Sequence, residues 1–513
     1  MLGLALRVWL DVRSQWMIDG DEALFGIGAV RILHGDWPNL LFGVPYMGML
    51  QSYLAAPLVA LFGPSAVALR CVTLLSSVAF IGVTWLLAEA WYGRAVAAVA
   101  ALLAAVPSVY FDVVSLKVWG SYLDIMVLGS LVVYGTWQCR QHAGLLHRRQ
   151  WLLLGVACGL AAWANLLVIY YLLTAFLLLP WRGAGRWLGT ALAGGAPGLL
   201  LGGAPLWWYN LRHGGATFRW LFAGVGTSST NHLAVAHVLF TTLLPRLGGL
   251  TSPWGGVPAG VAIVLALLIL AALLMALVDT WRLWRPAARA GEPSKADAGA
   301  PLLLVVVSLI VYLGSGFGGP SLSPFDGSGR YLLPLWTALP ILLAALCVRL
   351  GAVWRPTGVL AVAALLAANL YGHVASNPLL VFQSPYWARQ PEDSQPLFRW
   401  LQANDVTNVW INHWAGDQLM YWSGDTIAGA DYYDIVAGHG INRFPDTFQR
   451  VAEAPRAAYV VVVGDLPPSG LGARLQALGV TYRTATIGPY ELFLPLSRRV
   501  DPAEVVKTLR YPY

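Results

Sequence analysis

The chain has 513 residues, 58% hydrophobic and only 11% charged, with a formal net charge of +7, whereas a soluble domain carries about 25% charged residues. One soluble core cannot hide that much apolar surface, so an ordinary soluble enzyme is excluded. The basic excess falls mainly in short connections between apolar runs, as in a membrane protein, and calls for no nucleic-acid partner.

In chain order, residues 1–18 (MLGLALRVWLDVRSQWMI) should supply a first crossing. They carry Arg7, Asp11 and Arg13, and they run short of the ~20 apolar residues a span needs. Either the start is truncated or neighbours complete a short helix. No small-residue cleavage site follows an apolar core, so this is not a cleavable signal peptide. Further spans are predicted near 64–90, 95–108, 118–137, 151–165, 166–181, 187–209, 255–280, 301–317, 331–349 and 357–374. Arg94, Arg140 to Arg149, Arg182 to Arg186, Arg282 to Lys295 and Arg349 to Arg355 occupy alternate connections. The positive-inside rule places those five in the cytoplasm. Residues 19–63, 109–117, 210–254, 318–330 and everything after about 375 then face outward. The expected fold class is a polytopic α-helical protein of the cell (inner) membrane, with about eleven transmembrane helices in residues 1–375.

Beyond residue 375 the apolar runs stop. PLFRWLQAND reads as a short helix and TNVWINHW as a strand; AAYVVVVGD (457–465) reads as a buried strand and LGARLQALGV as a helix. TYRTATIGPYELFLPL reads as one or two strands. That alternation predicts a small extracytoplasmic α/β domain over 376–513. None of the four cysteines (Cys71, Cys139, Cys158, Cys347) lies in it, so no structural disulfide is expected there.

The loop 19–63 is long for a connector and patterned. EALFGIGAVRILHG and MGMLQSYLAAPLVALFG, joined by WPNLLFGVPYMG, read as two helices lying at the membrane interface. It opens on DGDE, so Asp19, Asp21 and Glu22 cluster at the end of the first span. Carboxylates that close to hydrocarbon are costly and are usually paired or functional. A plainer reading has Asp21 N-capping a helix that begins at Glu22; the two readings are compatible, because a capped carboxylate is held rigid and ionised.

One reaction open to such a carboxylate is the transfer of a sugar from a lipid phosphate to an alcohol. It needs a base for the hydroxyl proton, and cations and donors for the departing phosphate. Two outward cations qualify. Lys117 lies in FDVVSLKVWGSYLD beside Asp112, Tyr122 and Asp124, and Arg330 with Tyr331 opens the span after SPFDGSG. Snorkelling anchors and an aromatic belt are the alternative roles for these cations and rings, and Asp112 and Asp124 serve equally as counter-ions to Lys117. Asp112 and Asp124 together are a candidate pair for a shared divalent cation. His413 and Asp417 have helical ligand spacing but sit on an apparent strand end, where a surface polar pair is the simpler reading. There is no Walker-type loop and no nucleotide fingerprint.

DGDEALFGIGAVRILHGDWP followed by YMGMLQSYLAAPLVALFGPSAVALR resembles the first outward loop of GT-C glycosyltransferases, and is most similar to bacterial family 39-like members. These are kin of protein O-mannosyltransferases and of the lipid A aminoarabinose transferase. KVWGSYLDIMVLG, APLWWYNLRHGGATF, GRYLLPL and the C-terminal domain extend the resemblance over nearly the whole chain. It implies a polyprenyl-phosphate-linked sugar donor and an inverting transfer to a lipid, protein or glycan acceptor. Asp21 would be the base, Glu22 a supporting carboxylate, and Arg330 and Lys117 the groups that meet the lipid phosphate. The remaining substrate-binding candidates are Asp19, Tyr122, Asp124 and Tyr331. Gln51 stands where related sequences often have Glu, so a second acidic function is missing or has moved to Asp124. The alternatives are a transporter or lipid flippase, for which Asn165 would mark a broken helix, and a glycan-binding sensor.

Overall fold

A computed structural model describes residues 1–142, 146–222, 231–255, 257–284, 299–322, 329–377, 394–432, 442–463 and 469–509. The predicted spans fall on helices: α1 (Leu2–Arg13), α4 (Ala66–Tyr92), α5 (Arg94–Ala105), α7 (Tyr122–Gln141), α8 (Arg148–Ala164), α9 (Ile169–Leu178), α10 (Leu188–Gly202), α11 (Ala204–Arg212), α15 (Ala259–Trp284), α16 (Ala300–Gly314), α17 (Leu335–Val353) and α18 (Arg355–Ala375). Among the described residues four helices are long and apolar enough to cross a membrane: α4, α15, α17 and α18. A fifth crossing results if α5 and α6 (Val109–Leu116), bent by 71°, count as one broken span. Leu75, Leu267 and Leu360 are exposed on these helices, as expected for residues that meet lipid rather than water. The molecule is a multi-pass membrane protein. Most of the basic connection from Arg282 to Lys295 lies outside the described residues, as does SPFDGS before Gly329.

The charges of the first helix are explained by partners inside the bundle. Arg7 pairs with Asp112 at 2.8 Å, and Asp11 with Arg70 of α4 at 3.2 Å. Arg13 donates to the His373 carbonyl at 3.0 Å. Asp112 also meets His373 at 2.9 Å, so it is not the counter-ion of Lys117. Buried charges persist only when paired, and the charges of α1 meet that condition.

Helices α8 and α10 approach closely. A Cβ on Gly159 would stand 2.3 Å from the Leu199 carbonyl, and small residues permit such contacts between membrane helices. The apolar run 151–181 breaks at Asn165, whose backbone is extended. Its amide nitrogen donates to the Gly120 carbonyl at 2.8 Å, while Gly48 N–H donates to the Ala164 carbonyl at 3.1 Å. The break therefore anchors two loops that reach the acidic cluster.

The loop 19–63 contains α2 (Gly20–Leu33) and α3 (Leu50–Phe62). Eleven of the fourteen residues of α2 are buried, so it does not float on an interface with one face free, as the pattern predicted. It is clamped between α3 and α20 (His413–Trp422) of the C-terminal region. Gly20 makes that contact possible, since a Cβ there would lie 2.9 Å from the Trp414 Cα. Gln418 donates to the Ile18 carbonyl at 3.2 Å, and Arg31 reaches Asp425 at 3.0 Å.

The C-terminal sheet has the order β2-β1-β3-β5-β4. Its strands are β1 (Asn408–Trp410), β2 (Ala428–Ala430), β3 (Ala458–Val462), β4 (Tyr482–Ile487) and β5 (Tyr490–Pro495). The first three pair parallel and β5 pairs antiparallel with β3 and β4. Strand β1 is shorter than TNVWINHW predicted. Asn412 accepts from the Ala415 N–H at 3.2 Å and caps α20, so His413 opens a helix rather than ending a strand. The parallel crossovers supply α20 and α21 (Pro445–Glu453).

Candidate active site

The DGDE motif folds as a capping box. The Asp19 carboxylate accepts from the Glu22 N–H at 3.0 Å, and Glu22 accepts from the Asp19 N–H at 3.2 Å. The cap is thus Asp19, not Asp21, and the helix starts two residues earlier than the plain reading of the sequence had it. Asp19 and Glu22 are the three-residue pair that satisfies the helix's first N–H groups. Asp21, in the first turn, is left to project elsewhere.

The three carboxylates meet different fates. Glu22 is fully buried. Both its oxygens face the Arg70 guanidinium, and it accepts from the Val118 N–H at 3.1 Å. Asp19 pairs with Lys117 at 2.8 Å. Asp21 is partly exposed and faces Arg330 at 3.7 Å, beyond a tight ion pair. Burial pushes the Asp21 carboxyl above the ordinary carboxylate range and Asp19 adds to the rise, while Arg330, Arg443 and His413 oppose it.

Aromatic rings frame the two cations. Lys117 Nζ lies 5.0 Å from the Trp119 ring centre. Arg330 lies 5.0 Å from the same ring and 5.4 Å from Tyr331. Tyr122 meets both Trp119 and Tyr331 edge to face. Cation–ring contacts hold a charge in place without neutralising it. Asp124 accepts from the Ser76 hydroxyl at 2.5 Å and has the Gln51 side chain as a second partner. Gln51 accepts from the N–H groups of Gly120 (3.3 Å) and Ser121 (3.0 Å). It fixes the turn between Lys117 and Tyr122, where Ser121 adopts a left-handed φ of 56°.

The structure thus brings Asp19, Asp21, Lys117 and Arg330 together with Trp119, Tyr122 and Tyr331. Asp112 is drawn off to Arg7 and His373, and Asp124 to Ser76. Among the described residues no group of three or more His, Cys, Asp or Glu is arranged to hold a metal ion.

Three residues of this neighbourhood, Arg70, Tyr46 and Arg443, escaped sequence reasoning, and a fourth, Asp417, was read only as a surface polar partner of His413. Arg70 carried a signal, being an arginine inside an apolar run. Tyr46 stacks on Trp220 at 3.9 Å, and burial, with Tyr331 adding, pushes its hydroxyl up to about 12. Arg443 and Asp417 come from the C-terminal region, some 400 residues from Asp21 in sequence, and no spacing rule links them. Asp417 is 3% exposed, so it is no surface partner of His413, whose Nδ1 meets Asp431 at 2.6 Å.

No family model matches the sequence, and no curated relative does. Solved structures share its fold. ArnT from Cupriavidus metallidurans bound to undecaprenyl phosphate superposes with a TM-score of 0.60 at 14% identity, over 97% of this chain and 98% of that one. The apo state of the same protein gives 0.58 at 15% identity, over 98% of both chains. An Archaeoglobus fulgidus oligosaccharyltransferase in complex with Zn and sulfate gives 0.54 at 13% identity, over 95% of this chain and 72% of that one. The chain therefore shares the fold of these structures over nearly its whole length, membrane helices and C-terminal sheet together.

Proposed function

We propose that this protein is an inverting glycosyltransferase that moves a sugar from a polyprenyl-phosphate-linked donor to a hydroxyl acceptor at the extracytoplasmic membrane face. The observation that carries the reading is Asp21, a carboxylate left without a tight partner in a cluster whose other carboxylates are engaged. The shared fold supports it, since one neighbour is a complex with undecaprenyl phosphate and another is an oligosaccharyltransferase. The alternate basic connections support the outward orientation of loop 19–63 and of the C-terminal domain.

In this reading Asp21 takes the acceptor proton as the acceptor oxygen bonds to the anomeric carbon. The bond from that carbon to the phosphate oxygen breaks on the opposite face, so configuration inverts. The polyprenyl phosphate leaves with the electron pair. A raised carboxyl pKa strengthens the base, since a carboxylate harder to ionise accepts a proton more readily. Arg330 and Lys117 supply positive charge to the leaving phosphate. Asp19 keeps Lys117 in place and Glu22 supports the helix start. Tyr122 and Tyr331 line the approach to the sugar.

The test is transfer of labelled sugar from extracted polyprenyl-phosphate sugars in membranes, comparing wild type with Asp21→Asn at equal folded abundance. The expected loss is ~10²–10⁴-fold, the range for removing a general base. Flux of the labelled lipid across vesicles that persists in Asp21→Asn, with no transfer in either protein, would favour a flippase instead.

A further inference from the structure

The loop 117–121 carries Lys117 and Trp119, and the Trp119 ring lies 5.0 Å from both Lys117 and Arg330. The loop turns through two residues of positive φ, Gly120 at 148° and Ser121 at 56°. A residue with a side chain holds the left-handed region only where its surroundings impose it. Two amide side chains impose it here. Gln51, in the first turn of α3, accepts from the N–H groups of Gly120 and Ser121. Asn165 donates to the Gly120 carbonyl at 2.8 Å.

Gln51 is 1% exposed. Its oxygen is taken by the two N–H groups, so its nitrogen is the end that meets Asp124, and a nitrogen there can only donate. Asp124, in the first turn of α7, is 6% exposed, and among the described residues no cation is paired with it. A buried carboxylate in that position depends on neutral donors, here the Ser76 hydroxyl and the Gln51 amide. A continuous relay results: carboxylate, amide nitrogen, amide oxygen, then the backbone of the turn. Each bond in such a chain polarises the next. Position 51 therefore needs a group that donates at one end and accepts at the other. An ionised carboxylate cannot donate, and a hydrocarbon side chain does neither.

We infer that Gln51 and Asp124 are positioning residues for the phosphate end of the site, acting through Gly120 and Ser121 on Lys117 and Trp119. Lys117 and Arg330 share the Trp119 ring, so a turn that relaxes displaces one cation relative to the other. Asp21 stands apart from this effect, because the capping box of Asp19 and Glu22 fixes the start of its helix. The inference rests on the transferase reading above for its substrate.

The experiment uses the full-length protein and two readouts: kcat/KM for transfer from labelled polyprenyl-phosphate sugars in membranes, and Kd for polyprenyl phosphate in detergent. Gln51→Glu keeps an acceptor for the two N–H groups and removes the donor that faces Asp124. The expected result is a ten-fold or greater fall in kcat/KM and a ten-fold or greater rise in Kd. Adding Asp124→Asn to Gln51→Glu exchanges the two partners. The amide at 124 then donates to the carboxylate at 51, which still accepts from the turn, and both readouts should return to within about three-fold of wild type. Gln51→Met buries no second carboxylate; it should show the same loss, and adding Asp124→Asn should not restore it. A double exchange no better than Gln51→Glu, or wild-type affinity for polyprenyl phosphate in Gln51→Met, would overturn the relay. Transfer that never depends on Asp21 would sink the transferase reading instead, and the binding measurements would still decide the relay by themselves.

Discussion

Arg7 with Asp112, and Arg70 with Asp11 and Glu22, form ion pairs sealed inside the bundle. One residue from Glu22, Asp21 and Arg330 face each other at 3.7 Å with side chains 24% and 18% exposed. The two sets use the same residue types and lie almost in contact, yet they answer different physical demands. Sealed charges must neutralise one another completely, because water cannot help. Charges at an opening keep capacity in reserve for a ligand. Adjacent carboxylates in DGDE thus hold the helix start at positions 19 and 22 and leave position 21 for chemistry.

The largest effect should come from breaking the sealed set. Arg70→Met strands Glu22 and Asp11 without their cation, and removing one partner of a buried pair costs ~3–5 kcal/mol. Folded protein in membranes should fall sharply, as read by thermal unfolding in detergent. Full stability in this variant would dissolve the distinction between the two sets.

Arg330→Gln acts on the open set and should leave folding near wild type. Transfer should fall ~10²-fold, as for loss of one group that stabilises the departing charge. The pH profile sharpens this. Arg330 holds the Asp21 pKa down against burial, so its loss raises that pKa further. Activity that needs ionised Asp21 would then begin to rise at higher pH than in the wild type, and a limb that moved to lower pH would contradict the pairing.

Gly20→Ala probes the join between loop and C-terminal domain. Its Cβ would stand 2.9 Å from the Trp414 Cα and 3.0 Å from its carbonyl, so backbone must move. Overpacking of this kind costs ~1–3 kcal/mol. The smaller signature is a drop in transfer with little change in the abundance of the membrane helices.

Much of the membrane part was legible because hydrocarbon imposes one simple rule on sequence, and apolar runs marked the helices. The acidic cluster was legible for the same reason, since charges beside apolar runs stand out. What the sequence reading missed was partnership. Asp21 looked like the cap because it stands next to the apolar run, although the spacing from Asp19 to Glu22 already had the form of a capping box. Lys117 has Asp112 and Asp124 near in sequence, but folding gives it Asp19. TNVWINHW read as one strand because its apolar residues alternate, while Asn412 caps a helix inside it. Arg443 and Asp417 reach the site only through packing of α20 against α2, and no local pattern reports contacts of that range.

Asp21→Asn and Glu22→Gln, measured side by side for sugar transfer and for thermal unfolding, test the central claim most directly. The account predicts that Asp21→Asn loses transfer while unfolding near the wild-type temperature, and that Glu22→Gln loses stability first, with activity following the folded fraction. Transfer retained by Asp21→Asn at equal abundance would contradict it, and would return Asp21 to the role of an ordinary first-turn carboxylate.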